Sequence, residues 1–210
     1  MPRGRYLLQD PETGEPVGEE RFQCAPGPSG WRYVAHRTAP SGAPAGSVDL
    51  TLDELGRPLR LELRAGDWLV RGGALAGVTW VRMAATGEHA QEGNAPARGF
   101  TGDSPAFLVA TARLLRPEPD GDATPVRLVE LTPPVLAPRT RQESWTLLGR
   151  EQHPTDVGPL VVDQHRVDDL ETGERRVVHL AGDVVLAAPG VELEDLDSPP
   201  STFPPLRTAE

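Results

Sequence analysis

Apolar and polar side chains alternate along much of the chain, most clearly in the segment LTLDELGRPLRLELRAGDWLVRGG at residues 50–73. Side chains two positions apart lie on the same face of a β-strand, so this alternation predicts strands with one apolar face. The apolar positions of this kind are Leu50, Leu52, Leu59, Leu61 and Leu63. Such faces either close on one another as a core or line a cavity that receives a ligand.

Short β-like runs of this type recur along the chain, and glycine and proline fall between them rather than in one block. This punctuation is typical of an antiparallel β protein. We predict strands at 4–9, 18–24, 30–38, 46–53, 58–64, 67–71, 77–83, 88–92, 125–131, 140–149, 158–168, 174–180 and 183–187.

Two turn sequences nearly repeat, DPETGE at Asp10–Glu15 and DLETGE at Asp169–Glu174. Each places an aspartate at the start of the turn and a glycine where a hairpin loop needs a positive φ. The repeat indicates either one favourable hairpin loop used twice or a duplicated acidic ligand site.

One segment, near 104–116, breaks the strand pattern and predicts a helix. Asp103 and Ser104 can cap its start, Pro105 suits the first turn, and Pro117 follows its end. A sheet that curls around the helix would enclose its apolar face. That face comprises Phe107, Leu108, Thr111, Leu114 and Leu115.

The chain reads as a single β-rich domain over residues 1–197, followed by a proline-rich C-terminal tail over 198–210. The tail has too few apolar residues for a core of its own. Phe203 and Leu206 either dock the tail on the domain or serve a linear motif for a partner.

Charge excludes several function classes. The formal net charge is −10 over 210 residues, which disfavours nonspecific binding to nucleic acid or to an anionic membrane. All 21 basic residues are arginine, so lysine Schiff-base and P-loop chemistry are excluded. We expect no transmembrane segment, because no apolar run is long enough. The N-terminus lacks the apolar stretch of a signal peptide, and we expect a cytoplasmic protein.

Nucleophilic chemistry has two candidates. Ser104 precedes the helix, but the Gly-x-Ser-x-Gly pattern is absent, so the residue is interpreted as a helix cap. Cys24 is the single cysteine, its closest basic neighbour in sequence is Arg21, and it is interpreted as a buried thiol. We therefore predict no catalytic residue and favour a non-enzymatic protein.

Metal and phosphate chemistry has few candidates. His165 and Asp169 would share one strand face, which makes a two-ligand corner conceivable, although solvated strand residues fit the pattern better. The clustered acids Glu192, Glu194, Asp195 and Asp197 lack the spacing of a calcium loop. A further candidate, the glycine-rich run Gly72, Gly73 and Gly77, leads into a strand rather than a helix and predicts a bend. We expect no metal and no cofactor.

Aromatic side chains form the remaining group, since several lie in strand-like runs or beside the helix. Each can pack in a core, and together they can shape an apolar pocket. The predicted ligand-binding residues are Trp68, Trp80, Phe100, Phe107 and Trp145.

Curled strands, the helical segment SPAFLVATARLLR at 104–116 and a second set of strands follow one another over most of residues 1–190. This order resembles uncharacterised bacterial half-barrel proteins and, more distantly, the lipoprotein-carrier fold, in which an open antiparallel barrel partly wraps helices and holds acyl chains. The resemblance implies a ligand space between sheet and helix, but it assigns no residue. We expect no signal peptide of the kind that the carriers use for export, which is a departure from that fold family.

The sequence thus predicts a mainly β protein, a strongly curved antiparallel sheet or open barrel that encloses one helix. The leading hypothesis is non-enzymatic binding of a small apolar or amphipathic, lipid-like ligand between sheet and helix. Two alternatives stay open. One is a protein-interaction or scaffold module that uses a sheet edge or the tail, with a partner that the sequence does not identify. The other is an enzyme built from scattered residues around His165 and Asp169.

Overall fold

The computed structural model describes residues 1–27, 30–119, 121–156 and 158–201, which form one large sheet and one helix. The helix, α1, is Pro105–Leu115. The strands are β1 Arg3–Gln9, β2 Pro16–Gly27, β3 Gly30–Thr38, β4 Pro44–Asp53, β5 Pro58–Ala65, β6 Trp68–Ala74, β7 Val78–Ala84, β8 Gln91–Ala95, β9 Gly99–Thr101, β10 Thr124–Glu130, β11 Arg139–Thr155, β12 Gly158–Asp169, β13 Arg175–Ala181, β14 Val184–Ala188 and β15 Val191–Leu196.

The sheet is a meander whose two ends nearly meet. Its strand order is β8-β7-β6-β5-β4-β3-β2-β1-β15-β14-β13-β12-β11-β10-β9. A flat sheet of this many strands would be roughly 65 Å wide at the usual strand spacing. The edge strands β8 and β9, however, are joined by a link from Ala95 to Gly99 that spans at most about 14 Å. The sheet is therefore strongly curved and stays unclosed, as the sequence pattern predicts.

Strand alternation decides which side chains face the interior. On β4, Val48, Leu50 and Leu52 are each 1% exposed, whereas Asp49 and Thr51 between them are half-buried. The prediction that Leu59 shares the apolar face of Leu61 is wrong, since Leu59 is 55% exposed. The β4–β5 register shifts between Thr51 and Leu52, so that Pro58 takes the inward place opposite Leu52.

The helix begins and ends close to the predicted bounds. The Ser104 side chain accepts a hydrogen bond from the Ala106 N–H at 3.3 Å, and Arg116 ends the helix in the left-handed conformation. Phe107, Thr111 and Leu114 are buried as predicted, whereas Leu108 and Leu115 are half-buried. The helix contacts β4, β9 and β14, so it lies inside the curve of the sheet.

Two strands were not predicted. β9 pairs with β10 in parallel and has three residues, too few to show an alternation. β15 carries Glu192, Glu194 and Asp195 of the acidic run, which lacks the spacing of a calcium loop. It pairs with β1, where Glu194 lies 2.9 Å from Arg5. The acidic run therefore joins the N-terminal and C-terminal parts of the sheet.

The start of the predicted tail contacts the domain, because the Ser201 N–H donates to Asp183 Oδ1 at 2.7 Å. Phe203 and Leu206 lie outside the described residues.

Candidate functional site: a pocket between the sheet and the start of the helix

A pocket of about 210 Å³ lies between the first half of the sheet and the start of α1. One wall is apolar, the mouth carries exposed small side chains, and charged residues lie along one side. The apolar wall comprises Leu8, Val48, Leu63, Ala65, Phe107 and Leu131, the mouth Val17 and Ala45, and the polar wall Arg37, Arg64, Asp103 and Ser104.

A buried glutamate organises the polar wall. Glu20 is 0% exposed, and its Oε1 accepts hydrogen bonds from the Tyr33 hydroxyl at 2.7 Å and the Ser104 hydroxyl at 2.8 Å. Its Oε2 accepts from Arg37 Nε at 2.7 Å. Because buried charges are costly unless they are paired and hydrogen-bonded, these partners allow Glu20 to sit in the core. Ser104 thus caps the helix and also ties its start to β2.

Burial chiefly, with the neighbouring Glu20 adding to it, raises the pKa of the Tyr33 phenol well above its ordinary value. The phenol therefore stays protonated at neutral pH and donates to Glu20. The second terminal nitrogen of Arg37, Nη2, is buried and has no hydrogen-bond partner in the described part of the chain. The Arg37 guanidinium is thus anchored through Nε rather than through a two-pronged contact.

Asp103 differs from the other charged residues of the pocket. It lines the pocket, its side chain is exposed, and it makes no hydrogen bond or ion pair within the described residues. The crowded protein around it chiefly raises its pKa by desolvation, Arg37 opposes the rise, and Glu130 and Glu20 add to it. Asp103 is therefore a carboxyl group that faces the pocket without a partner of its own.

The structure spreads the predicted ligand-binding aromatics over several places. Phe107 lines the pocket, whereas Phe100 faces a gap of about 10 Å³ that Phe107 also borders, which is room for one water at most. The Trp68 ring lies under the Arg82 guanidinium at 3.3 Å. Trp80 packs against Gly93, and Trp145 is fully buried with its N–H donating to Glu143 at 2.9 Å. Phe107 and Phe100 are thus the two that the structure brings together.

The second half of the sheet holds a buried charge network. Glu130 pairs with Arg139 and Arg141, and Arg141 also pairs with Asp169 at 2.9 Å. Glu143, 1% exposed, pairs with Arg176 at 2.7 Å. Every carboxylate of this network thus has a guanidinium partner.

His165 and Asp169 are both buried, yet no hydrogen bond or ion pair between them exists among the described residues. Asp169 Oδ1 instead accepts two N–H groups of its own turn, from Glu171 at 2.7 Å and Thr172 at 3.1 Å. His165 lies against Trp145 with ring centres 5.7 Å apart, and burial chiefly lowers its pKa. The pair does not form a site that opens to substrate.

The two repeated turns have the same geometry. Asp10 Oδ1 accepts the N–H groups of Glu12 and Thr13, as Asp169 does in its own turn, and Gly14 and Gly173 have φ values of 72° and 76°. The repeat is one hairpin loop used twice.

Cys24 is 0% exposed and donates through its thiol to the carbonyl oxygen of Asp183 at 3.6 Å. Burial chiefly raises the pKa of this thiol. The glycine-rich run lies in β6, where a side chain at Gly72 would collide with Phe100, and in the turn that leads to β7. Within the described chain, no group of three or more His, Cys, Asp or Glu side chains is placed to hold a metal ion.

Sequence reasoning missed the polar wall, above all Glu20, Arg37 and Asp103. A signal for Glu20 was present, since it shares the alternation of Phe22 and Cys24 on β2 and so occupies an inward position. Asp103 was noted as a cap and not as a pocket residue, because its relation to β3 is set by tertiary structure.

The fold and the site together define a barrel-like, unclosed antiparallel sheet that wraps one helix and leaves a pocket at the start of that helix. No family model and no curated protein matches the chain. Among solved structures, it is similar to a DUF1089 family protein from Pseudomonas aeruginosa, with 17% identity, a TM-score of 0.52, and coverage of 83% of this chain and 91% of that one.

It is also similar to a beta-barrel-like protein of the domain of unknown function DUF1849 from Brucella abortus, with 14% identity and a TM-score of 0.47, over 93% of this chain and 96% of that one. The likeness to the DUF1089 family protein concerns the fold alone. The single helix of the described chain is too short to cross a membrane.

Proposed function

We propose that the protein binds a small apolar or amphipathic ligand, without catalysing a reaction, in the pocket between the sheet and the start of α1. The observation that carries the proposal is a space of about 210 Å³ whose wall is largely apolar. An engineered apolar cavity of about 150 Å³ in another protein stays dry and binds benzene. The pocket therefore has room for a ligand somewhat larger than benzene.

The volume also limits the ligand. Pockets for drug-sized molecules hold about 300–1,000 Å³, so a whole phospholipid would not fit here. A lipid-like ligand would be a single short chain, or would place one end of a longer chain in the pocket. The proposal includes the resemblance to the lipoprotein-carrier fold, in which an open barrel holds acyl chains beside helices. It also includes a cytoplasmic location for the protein.

A large side chain introduced at the pocket mouth tests the proposal. Val17 is 53% exposed and lines the pocket, so Val17→Trp should cover the mouth without disturbing the core. Val161 is 41% exposed on β12 and does not line the pocket, so Val161→Trp is the matched control. The probe is 1-hexanol, and its affinity is measured by calorimetry, with thermal shift as a second readout.

Hexanol should raise the free energy of unfolding by about 2.7 kcal/mol at a hundredfold excess over Kd. We expect Val17→Trp to raise the Kd for hexanol by at least about tenfold, which corresponds to a loss of about 1.4 kcal/mol of binding free energy. Val161→Trp should bind as the wild type does. Absence of binding to the wild type, or equal binding by both variants, would contradict the proposal.

A further inference from the structure

Three charged side chains line the pocket, and their partners decide which ligand charge the pocket accepts. Arg37 forms an ion pair with buried Glu20 at 2.7 Å, and Arg64 forms one with Glu62 at 2.9 Å. Arg37 therefore has a carboxylate of its own, whereas Arg64 shares Glu62 with Arg60 and Arg71. Among the charged side chains of the lining, Asp103 is the one that has no ion pair within the described residues.

We propose that the pocket takes an apolar ligand that carries a primary ammonium group, with the ammonium bound by Asp103 and the apolar body against Leu63 and Phe107. This inference rests on the proposed function and adds the head group. Asp103 is exposed, so its carboxylate is open to a ligand, and Phe107 lies four residues further along at the base of the helix.

An ammonium group suits this wall better than a carboxylate does. A primary alkylamine is protonated at neutral pH, as the lysine side chain is with a pKa near 10.4, and it donates to a carboxylate in a charge-assisted hydrogen bond. Arg37 Nη2, which has no hydrogen-bond partner among the described residues, is buried and thus closed to a ligand carboxylate, and Arg64 donates to Glu62 through Nε and Nη2. The net charge of −10 also favours a cation over an anion.

A matched series of three ligands tests the head group, because hexylamine, 1-hexanol and hexanoate share one apolar body. Calorimetry on the full chain at neutral pH gives the three affinities. We expect hexylamine to bind about tenfold more tightly than hexanol, which is the difference between a charge-assisted and a neutral hydrogen bond. Hexanoate should bind more weakly than hexanol.

Asp103→Asn removes the charge and keeps the shape of the side chain. The variant should no longer bind hexylamine more tightly than hexanol, and its affinity for hexanol should stay within about twofold of the wild type. The difference in affinity between hexanoate and hexanol should become smaller. Unchanged hexanol binding shows that the variant pocket has kept its structure. Asp156→Asn, an exposed position that does not line the pocket, makes the same change in net charge and should keep the preference.

The outcomes separate the two proposals. If hexanol binds but hexylamine has no advantage, or if the advantage survives Asp103→Asn, the ammonium inference is overturned and the pocket proposal stands. If none of the three ligands binds, both proposals are overturned.

Discussion

The two halves of the sheet bury charge in different ways. The first half, β1–β8, buries Glu20, which is held by Tyr33, Ser104 and Arg37 beside an open pocket. It also buries Asp53, which is held by Arg57 of the turn after β4. The second half, β9–β15, buries Glu130, Glu143 and Asp169 on β10–β12, and arginines of β11 and β13 surround them. The comparison teaches that β10–β13 satisfy the charges of their network within the sheet, whereas Glu20 connects β2 to the helix and leaves a space next to it. Asp183, after β13, lies outside that network, since it is 0% exposed and accepts the Trp31 N–H of the first half at 3.3 Å.

The largest expected effect comes from the first half. Glu20→Leu leaves two hydroxyl groups without their acceptor and Arg37 without its counterion, so we expect a loss of about 3 kcal/mol in the free energy of unfolding. Urea unfolding measures this loss. The double variant Glu20→Leu with Arg37→Met removes both charges and should recover part of it. A loss below about 1 kcal/mol for Glu20→Leu would mean that the glutamate does not hold the helix start.

A smaller effect is expected from His165 in the second half, and it depends on pH. Burial chiefly lowers the pKa of His165 below its ordinary value of 6.5, so the unfolded chain takes up a proton before the folded one does. Above the pKa that His165 has in the unfolded chain, the residue does not lower the free energy of unfolding. It lowers that free energy increasingly as pH falls below this pKa. Stability should therefore fall from pH 7.5 to pH 5.5.

His165→Leu should reduce this fall, as measured by urea unfolding at both pH values. The buried carboxylates Glu130 and Asp169 have lowered pKa values and begin to lose their stabilising effect only at more acidic pH, so they do not mask the result. His153→Gln, at an exposed position, is the control and should leave the fall unchanged. An equal fall in His165→Leu and in the wild type would show that His165 is not the group responsible.

The smallest effect is expected on the outer face, where both halves should behave alike. Arg32→Ala removes an ion pair with Asp49 at 2.7 Å, in which the Arg32 side chain is 53% exposed. Exposed pairs of this kind contribute about 0.2–1 kcal/mol, since water and salt screen them. Arg150→Ala, which removes the similar pair with Asp163 in the second half, should cost no more. A loss above about 2 kcal/mol in either variant would contradict this equality.

Much of the fold was predictable from local pattern. Alternation located β4 and β5, and the capping pattern around Ser104 and Pro105 located the helix within one residue at each end. Strands β9 and β15 were not predicted. β9 is too short to show an alternation, and β15 places charged side chains on its outer face. The exposure of Leu59 followed from a register shift, which depends on how two strands meet.

The pocket was less predictable. Phe107 was assigned to it from its place on the helix, but Trp68, Trp80 and Trp145 lie elsewhere, because aromatic residues in strands are equally suited to a core or to an outer edge. The polar wall brings together residues from β3, β5 and the start of α1, and Glu20 of β2 lies behind it. The spacing of Glu20, Arg37 and Asp103 in the sequence does not indicate that they lie close together. They come together because the sheet is curved.

The most direct test of the pocket is a crystal structure of the protein soaked with 1-hexanol. We expect density for one hexanol in the space of about 210 Å³, with its chain against Leu63 and Phe107 and its hydroxyl towards Asp103. A crystal in which side chains fill this space, or in which hexanol occupies only other places, would contradict the account.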